Sequence, residues 1–245
     1  MGVLKQRHGA VAELTLDWPD VRNALGVPEG RELRMALEEE LADRGVGAVM
    51  LTATGNAFCA GGNLPAIVEL AKGGPEAVRE KVYGEFQGIF RAIGEARVPV
   101  IAVVEGPAVG FGCDLALAGS ATFVGPRGWL AQGWIKAGLI PATGGTHYVK
   151  RRGGQQAVYR MLAADQVDGP TLEAWNLAIA SQDARADALA MAEKLAGFAR
   201  GPLEAVVQLE RIDDRAAHLE AALAYQVGFI THPDFAASAA TLLNR

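Results

Sequence analysis

The pattern of apolar and polar positions in the first part of the chain predicts strands that alternate with helices. Residues 11–16 alternate as a half-buried strand does, and the apolar runs at 48–52 and 98–104 are typical of buried strands. Between them, residues 29–43 repeat leucine at four-residue spacing and residues 75–97 carry apolar side chains on one side. These two segments predict amphipathic helices, and the alternation predicts an α/β fold with crossover connections.

Strand patterns nearly stop after Gly169, and alanine-rich helical patterns follow. The helical patterns cover residues 183–200, 202–215 and 216–230. We expect the segment Thr231–Asp234 to cap one further helix. The sequence therefore predicts an α/β core over residues 1–185 and a helical region over residues 186–245.

Composition favours a soluble globular protein of the cytoplasm. Half of the 245 residues are apolar, which suffices for one sizeable core, yet no apolar run reaches the roughly 18 residues of a membrane span. The first residues lack the apolar core of a signal peptide. The formal net charge of −5 argues against nucleic acid as a partner, and two cysteines do not make a disulfide framework.

Two glycine-rich turns carry the strongest chemical signal. They are Cys59–Asn63, with the sequence Cys-Ala-Gly-Gly-Asn, and Val109–Asp114, with the sequence Val-Gly-Phe-Gly-Cys-Asp. Each follows a predicted strand and opens into a predicted helix, which leaves backbone N–H groups pointing outward at the helix start. Two such turns aimed at one point would stabilise an oxyanion, so the sequence predicts acyl chemistry.

Several common catalytic sites are excluded by the same sequence. No serine lies in a nucleophile elbow, and the four histidines and two cysteines show no metal-ligand spacing, so we expect no metal. The turn that begins at Gly110 lacks the last glycine of the dinucleotide fingerprint, and no glycine loop carries the lysine of a P-loop. Of the kinds of site considered, the sequence leaves catalysis by backbone donors together with a carboxylate.

Four segments resemble the enoyl-CoA hydratase/isomerase (crotonase) superfamily. They are Arg22–Leu25, Ala57–Leu64, Gly106–Leu115 and Leu139–Thr146, and they follow the order and the spacing of that family. The closing Pro233–Phe235 resembles its C-terminal helix, so the likeness covers essentially the whole chain. The resemblance implies a spiral of β-β-α repeats whose terminal helices mediate a homotrimer or a dimer of trimers.

The same resemblance implies an acyl-CoA thioester as the ligand, with coenzyme A as part of the substrate and no further cofactor. The thioester oxygen would be held by the amides of Gly62 and Phe111, although the family usually carries glycine at the second position. Arg22 would lie near the phosphates of coenzyme A. The implied substrate-binding residues are Arg22, Ala24, Ala60, Gly61, Asn63, Leu64, Trp134 and Pro141.

Hydratases of this family use two glutamates, and neither is present here. The first position is Asp114, and the second corresponds to Trp134, which can neither accept nor deliver a proton at neutral pH. We therefore expect Asp114 alone to act as acid and base and Trp134 to form a wall of the acyl pocket. The plainer interpretation of Asp114 is that it only complements a helix dipole. The Phe111 ring either narrows the pocket or, on the plainer interpretation, is a core anchor with no role in binding.

Three functions stay open at this point. The first is an enoyl-CoA hydratase or double-bond isomerase. The second is hydrolysis, decarboxylation or C–C cleavage of a specialised acyl-CoA, for which Trp134 would shape a dedicated pocket. The third is an acyl-CoA-binding protein that keeps the donor pair and has lost turnover.

Overall fold

The protein is organised around a six-stranded sheet, and the computed structural model describes residues 1–230. The strands are β1 (Gly2–His8), β2 (Val11–Asp17), β3 (Ala48–Ala53), β4 (Val100–Val104), β5 (Pro107–Val109), β6 (Ala121–Val124), β7 (Trp129–Ala131), β8 (Val167–Asp168) and β9 (Ile179–Ala180). The large sheet has the order β1-β2-β3-β4-β6-β9, and a second sheet has the order β5-β7-β8. Only the β1–β2 pair of the large sheet is antiparallel.

Ten α-helices are present in the part of the chain that the structure describes. They are α1 (Val27–Ala42), α2 (Leu64–Ala71), α3 (Gly74–Ala77), α4 (Gly84–Glu95), α5 (Phe111–Ala118), α6 (Gly145–Ala163), α7 (Gly169–Ala174), α8 (Ala184–Ala196), α9 (Arg200–Leu209) and α10 (Arg215–Ile230). The predicted helix at 75–97 is present, but a π-helical segment, Val78–Tyr83, interrupts its regular turns. The predicted strands at 11–16, 48–52 and 98–104 correspond to β2, β3 and β4.

Parallel strands require cover on both faces, which explains why β3 and β4 are apolar at almost every position. On one face, α1 and α4 complete the main core together with α5. On the other face, α8 presents the small residues Ala184, Ala188 and Ala192 to the sheet. Small side chains allow this helix to pack closely against β3 and β4.

The chain divides into two compact units. The first extends from Met1 to Gly197, and the second begins at Phe198, where α9 packs against α10. The domain boundary after residue 185 and the trimerisation role of residues 186–245 stay predictions. The predicted cap at Thr231–Asp234 and the motif at Pro233–Phe235 lie outside the described residues. No helix within residues 1–230 is both long enough and apolar enough to cross a bilayer.

A buried carboxylate on the second strand of the large sheet ties that strand to α8. Glu13 on β2 is only 3% exposed and accepts two hydrogen bonds from Arg185, at 3.0 and 2.8 Å. Thr52 on β3 donates to it at 3.0 Å, and the ring of His8 lies 2.7 Å from its second oxygen. Burial alone would raise the pKa of Glu13, but the bonds from Arg185, His8 and Thr52 outweigh it and hold the pKa below its usual value.

We expect Glu13→Gln to lower the free energy of unfolding by about 2 kcal/mol at neutral pH, the usual size for lost hydrogen bonds to a charged group. Because the folded pKa is the lower one, this stabilisation is complete above the unfolded pKa, near 4.3. It disappears as the pH falls through the folded pKa. Urea denaturation of the wild-type protein and the variant measures the difference in their free energies of unfolding, once at pH 7 and once at about pH 3.

Glu39→Gln is the matched control, because Glu39 also forms an ion pair, with Lys5, but its side chain is 70% exposed. We expect that variant to change the free energy of unfolding by less than about 0.5 kcal/mol at either pH. Equal effects of the two substitutions at pH 7 would contradict the role assigned to Glu13.

Candidate active site

The two glycine-rich turns lie side by side, held by backbone hydrogen bonds. The N–H of Val109 donates to the carbonyl of Cys59 at 2.9 Å. In the other direction, the N–H groups of Phe58 and Cys59 both donate to the carbonyl of Pro107, at 3.0 and 3.2 Å. Cys59 and Ala108 form a parallel bridge at the same point. The segments that precede the two turns are thus paired as short strands, which brings the turns together.

Two glycines make this close approach possible. A Cβ atom on Gly112 would lie 2.1 Å from the carbonyl oxygen of Cys59, far inside van der Waals contact. Gly61 has a φ of +110°, and a Cβ there would lie 3.0 Å from the carbonyl oxygen of Val109. Any side chain at Gly112 would push the turns apart, and one at Gly61 would add backbone strain.

Each turn delivers a backbone N–H to the start of a helix. Gly62 precedes Asn63, which caps α2 by accepting the N–H of Ala66 at 3.3 Å. Phe111 is the first residue of α5, where an N–H has no intrahelical acceptor. Within residues 1–230, neither the N–H of Gly62 nor that of Phe111 meets a hydrogen-bond acceptor. Both groups are therefore available as donors.

A cavity of about 100 Å³ adjoins both turns. It is lined by Ala60, Gly61, Gly62, Leu64, Val109, Gly110, Phe111, Gly133, Trp134 and Leu139. Six of these are predicted site residues: Ala60, Gly61, Gly62, Leu64, Phe111 and Trp134. The prediction missed Val109, Gly110, Gly133 and Leu139, although the first two lie in the second turn itself and could have been found there.

The remaining predicted residues lie elsewhere. Pro141 lines a separate pocket of about 10 Å³, together with Gln132 and Gly145. The 100 Å³ cavity is not lined by the other four predicted residues, which are Asn63, Arg22, Ala24 and Asp114.

The ring of Phe111 belongs to the core, and the residue also lines the cavity. The ring is fully buried, with its centroid 4.8 Å from that of Phe86 and 5.2 Å from that of Phe90 on α4. Phe90 in turn stacks on Tyr148 at 5.9 Å. The interpretation of the ring as a core anchor fits these contacts, and α5 is thereby fixed against α4.

A buried asparagine fixes the loop that carries Arg22. The side chain of Asn23 donates to the carbonyl of Ala57 at 2.9 Å and accepts the N–H of Trp18 at 2.8 Å. Arg22 and Asn23 both have a φ of 54°, in the left-handed region that residues other than glycine seldom adopt. The carbonyl of Arg22 accepts the N–H of Ala60 at 3.0 Å, so the exposed Arg22 stands beside the first turn.

Asp114 lies in the first turn of α5 and is fully buried, with its carboxylate against the start of α6. Its oxygens accept hydrogen bonds from Gln132 at 2.8 Å and from Thr143 at 2.6 Å. A Cβ atom on Gly145, the first residue of α6, would lie 1.9 Å from the carboxylate, so only glycine fits there. Burial raises the pKa of Asp114 to about 6, although the bonds from Thr143 and Gln132 oppose the rise.

Trp134 is a neighbour of both the cavity and Asp114. A Cβ atom on Gly110 would lie 3.7 Å from the indole, which therefore packs against the second turn. The indole N–H lowers the pKa of Asp114 but completes no hydrogen bond to it or to any other group among the described residues. No ionisable side chain lines the cavity itself.

The two cysteines are buried thiols rather than nucleophiles. Burial raises the pKa of Cys59 to about 12 and that of Cys113 well above its usual value, so both stay protonated at neutral pH. Across residues 1–230, no three His, Cys, Asp or Glu side chains gather as a metal site would require.

Gly112→Ala tests how closely the turns are paired. We expect it to lower the free energy of unfolding by about 1–3 kcal/mol, because the new methyl group collides with the carbonyl of Cys59. Gly94→Ala on α4 is the matched control, since a Cβ atom there meets nothing within 4 Å. That control should be neutral or gain up to about 1 kcal/mol. A stable Gly112→Ala variant in urea denaturation would show that the turns are less constrained than the contacts indicate.

Several relatives of this chain are probable enoyl-CoA hydratases by name. A probable enoyl-CoA hydratase of Rhizobium meliloti (strain 1021) is 32% identical over 200 residues, which cover 80% of this chain and 76% of the relative. A protein of the same name from Mycobacterium tuberculosis (strain ATCC 25618 / H37Rv) is 36% identical over 146 residues. That match covers 60% of this chain, and it spans only 56% of the relative's length.

Solved structures that superimpose on this chain include proteins with the same name. An enoyl-CoA hydratase from Polaromonas sp. JS666 superimposes with a TM-score of 0.91 at 26% identity, covering 100% of this chain and 97% of that one. A putative enoyl-CoA hydratase from Streptomyces coelicolor A3(2) gives a TM-score of 0.90 at 27% identity, covering 100% and 92%. The predicted crotonase-like α/β class is thereby confirmed. Because the family model for enoyl-CoA hydratase/isomerase matches residues 6–227, the chain belongs to that family.

Proposed function

We propose that this protein isomerises or hydrates an enoyl-CoA thioester, with the N–H groups of Gly62 and Phe111 holding the thioester oxygen and Asp114 carrying the proton. The observation that supports it most is the cavity between the two turns, which is lined by two unpaired backbone donors and otherwise by mostly apolar groups. Membership of the enoyl-CoA hydratase/isomerase family supplies the class of ligand.

The donors act by stabilising charge as it forms. When a proton leaves the α-carbon of the acyl group, the electron pair moves onto the thioester oxygen as an enolate. Hydrogen bonds from Gly62 and Phe111 become stronger as that charge develops, and one such donor is worth about 2.7–4 kcal/mol in known enzymes. The N-terminus of α5 adds a favourable field at Phe111.

A single carboxylate suits isomerisation better than hydration. Asp114 would remove a proton from the α-carbon of a 3-enoyl-CoA and return it to the γ-carbon, which gives the 2-enoyl-CoA. Hydration requires water to be activated and a proton to be delivered, two tasks that two carboxylates divide more readily. A pKa of about 6 allows Asp114 to accept and release a proton near neutral pH.

We propose that the indole side chain of Trp134 moves when substrate enters. Asp114 has no exposed surface and does not line the cavity, whereas Trp134 adjoins both. The carboxylate therefore reaches the acyl group when the entering substrate displaces the indole.

A non-catalytic acyl-CoA-binding protein is the second candidate, and one observation favours it. The Asp114 carboxylate already accepts bonds from Gln132 and Thr143 at the start of α6, which is what a purely structural residue would do. The experiment on Asp114 below separates the two functions.

We also propose that the protein assembles as a homotrimer or a dimer of trimers, as the family resemblance implies, and that it works in the cytoplasm without a further cofactor. Light scattering of the purified protein measures the assembly. A monomer at micromolar concentration would contradict that part of the proposal.

Asp114→Asn should slow turnover by about 10²–10⁴-fold, because it removes the proton carrier and leaves the two amides in place. The measurement follows product mass and deuterium uptake from D₂O with 3-enoyl-CoA and with crotonyl-CoA. Thermal shift with each ligand reports whether binding persists. Asp165→Asn is the control, because Asp165 is an exposed partner of Lys136 in another part of the chain.

Each outcome of this experiment separates the candidates. Turnover in the wild-type protein that survives in Asp114→Asn would exclude Asp114 as the proton carrier. Binding without any product or deuterium uptake in the wild-type protein would favour the non-catalytic function. The absence of any thermal shift with either ligand would refute both.

The pH dependence provides an independent test of Asp114. As a base it must be ionised, so kcat/KM for 3-enoyl-CoA should rise about tenfold per pH unit below its pKa, near 6, and level off above it. The residual rate of Asp114→Asn should not show this inflection. A wild-type profile that is flat between pH 5 and pH 7 would contradict the assignment.

A further inference from the structure

A second pocket, of about 530 Å³, lies along the helical segment 74–95 and is called the arginine pocket below. Its volume suits a small metabolite. It shares no lining residue with the cavity between the two glycine turns, and no carboxylate lines it. The lining residues are Pro75, Val78, Arg79, Tyr83, Gly84, Gln87, Arg91 and Ala142. Two arginines without a carboxylate among the lining residues give this pocket a positive charge.

Four polar side chains of the arginine pocket form a stripe along the helical segment. Arg79, Tyr83, Gln87 and Arg91 follow one another at four-residue spacing. Four residues of an α-helix advance slightly more than one turn, so such a stripe drifts around the helix axis. The π-helical segment Val78–Tyr83 has wider turns, in which four residues advance less than one turn, and this opposes the drift. Such segments occur frequently at functional sites.

The two arginines have no anionic partner within residues 1–230. The guanidinium groups of Arg79 and Arg91 form no ion pair and no hydrogen bond there. Glu80 and Glu95 line a neighbouring groove that Arg91 also adjoins, yet Arg91 pairs with neither of them. Both guanidinium groups are therefore available to an anionic ligand.

The lining between the two arginines is uncharged. The side chain of Tyr83 is half-buried, and burial raises its pKa, so its hydroxyl stays protonated at neutral pH. Gln87 donates to the carbonyl of Ala142 at 2.9 Å, which fixes the opposite wall. Pro75 and Val78 add apolar surface. This part of the pocket suits a hydrocarbon chain.

The positions of the arginines favour an elongated ligand. At 1.5 Å per residue, Arg79 and Arg91 are about 18 Å apart along the helix axis. This separation favours a ligand with an acidic group at each end over a single compact anion.

We propose that the arginine pocket binds a linear aliphatic dicarboxylate, with one carboxylate on Arg79, the other on Arg91, and the hydrocarbon chain along Val78 and Tyr83. Arginine forms strong, often bidentate hydrogen bonds with carboxylates. Because the arginine pocket shares no residue with the cavity between the turns, this binding does not depend on the proposed function.

Isothermal titration with dicarboxylates and with monocarboxylates of the same length tests the proposal. The ligands are adipate with hexanoate and suberate with octanoate. We expect at least one dicarboxylate to bind about tenfold more tightly than its monocarboxylate, the effect of one added charge-assisted hydrogen bond. Arg79→Gln and Arg91→Gln should each remove this preference. Both side chains are exposed, so the variants should keep the fold, which circular dichroism checks.

Arg31→Gln is the matched control, because it removes the same charge from an arginine that pairs with Glu85 and does not line the pocket. It should keep the preference. An equal loss in Arg31→Gln would indicate an effect of net charge and overturn the inference. Dicarboxylates that bind no more tightly than monocarboxylates would also overturn it, as would a preference that survives in Arg79→Gln or in Arg91→Gln. Inorganic phosphate that binds as tightly as either dicarboxylate would show a site for compact anions instead.

Discussion

The pairing of the two glycine turns is the constraint on which the rest of the site depends. Short strand-like hydrogen bonds between residues 58–59 and 107–109 bring two helix starts to one place, and the approach is so close that Gly112 touches the carbonyl of Cys59. The central sheet delivers both segments, because β3 and β4 are parallel neighbours whose chains leave at the same edge. The cavity is thus a product of sheet topology.

In the proposed mechanism, the environment of this cavity separates binding from proton transfer. Backbone donors and apolar walls surround the space itself, whereas the carboxylate of Asp114 lies behind Trp134 and beneath the start of α6. Such an arrangement keeps the pKa of Asp114 near neutrality, because water is excluded from it. In the same mechanism, the access of substrate to that carboxylate depends on the movement of a single aromatic side chain, Trp134.

Local patterns predicted the elements well, since periodicity and glycine turns are local properties. The strands β2, β3 and β4, the helix α1 and the starts of α2 and α5 all follow from short stretches of sequence. The surroundings of Asp114 could not be predicted in this way, because Gln132 and Thr143 are brought to it by distant parts of the chain. The same holds for the Phe111 ring, whose direction depends on packing against Phe86 and Phe90.

The main chain and the side chain of Phe111 have different roles. Its ring anchors α5 in the aromatic cluster, whereas its amide, which has no acceptor among the described residues, is the proposed donor to the ligand. Replacement of Phe111 by alanine would therefore leave the backbone donor intact and lower the stability of the fold. An alanine scan would then assign this position a structural role alone. Among the natural amino acids only proline lacks an amide hydrogen, so a substitution here can disturb the packing of the core and still leave the donor in place.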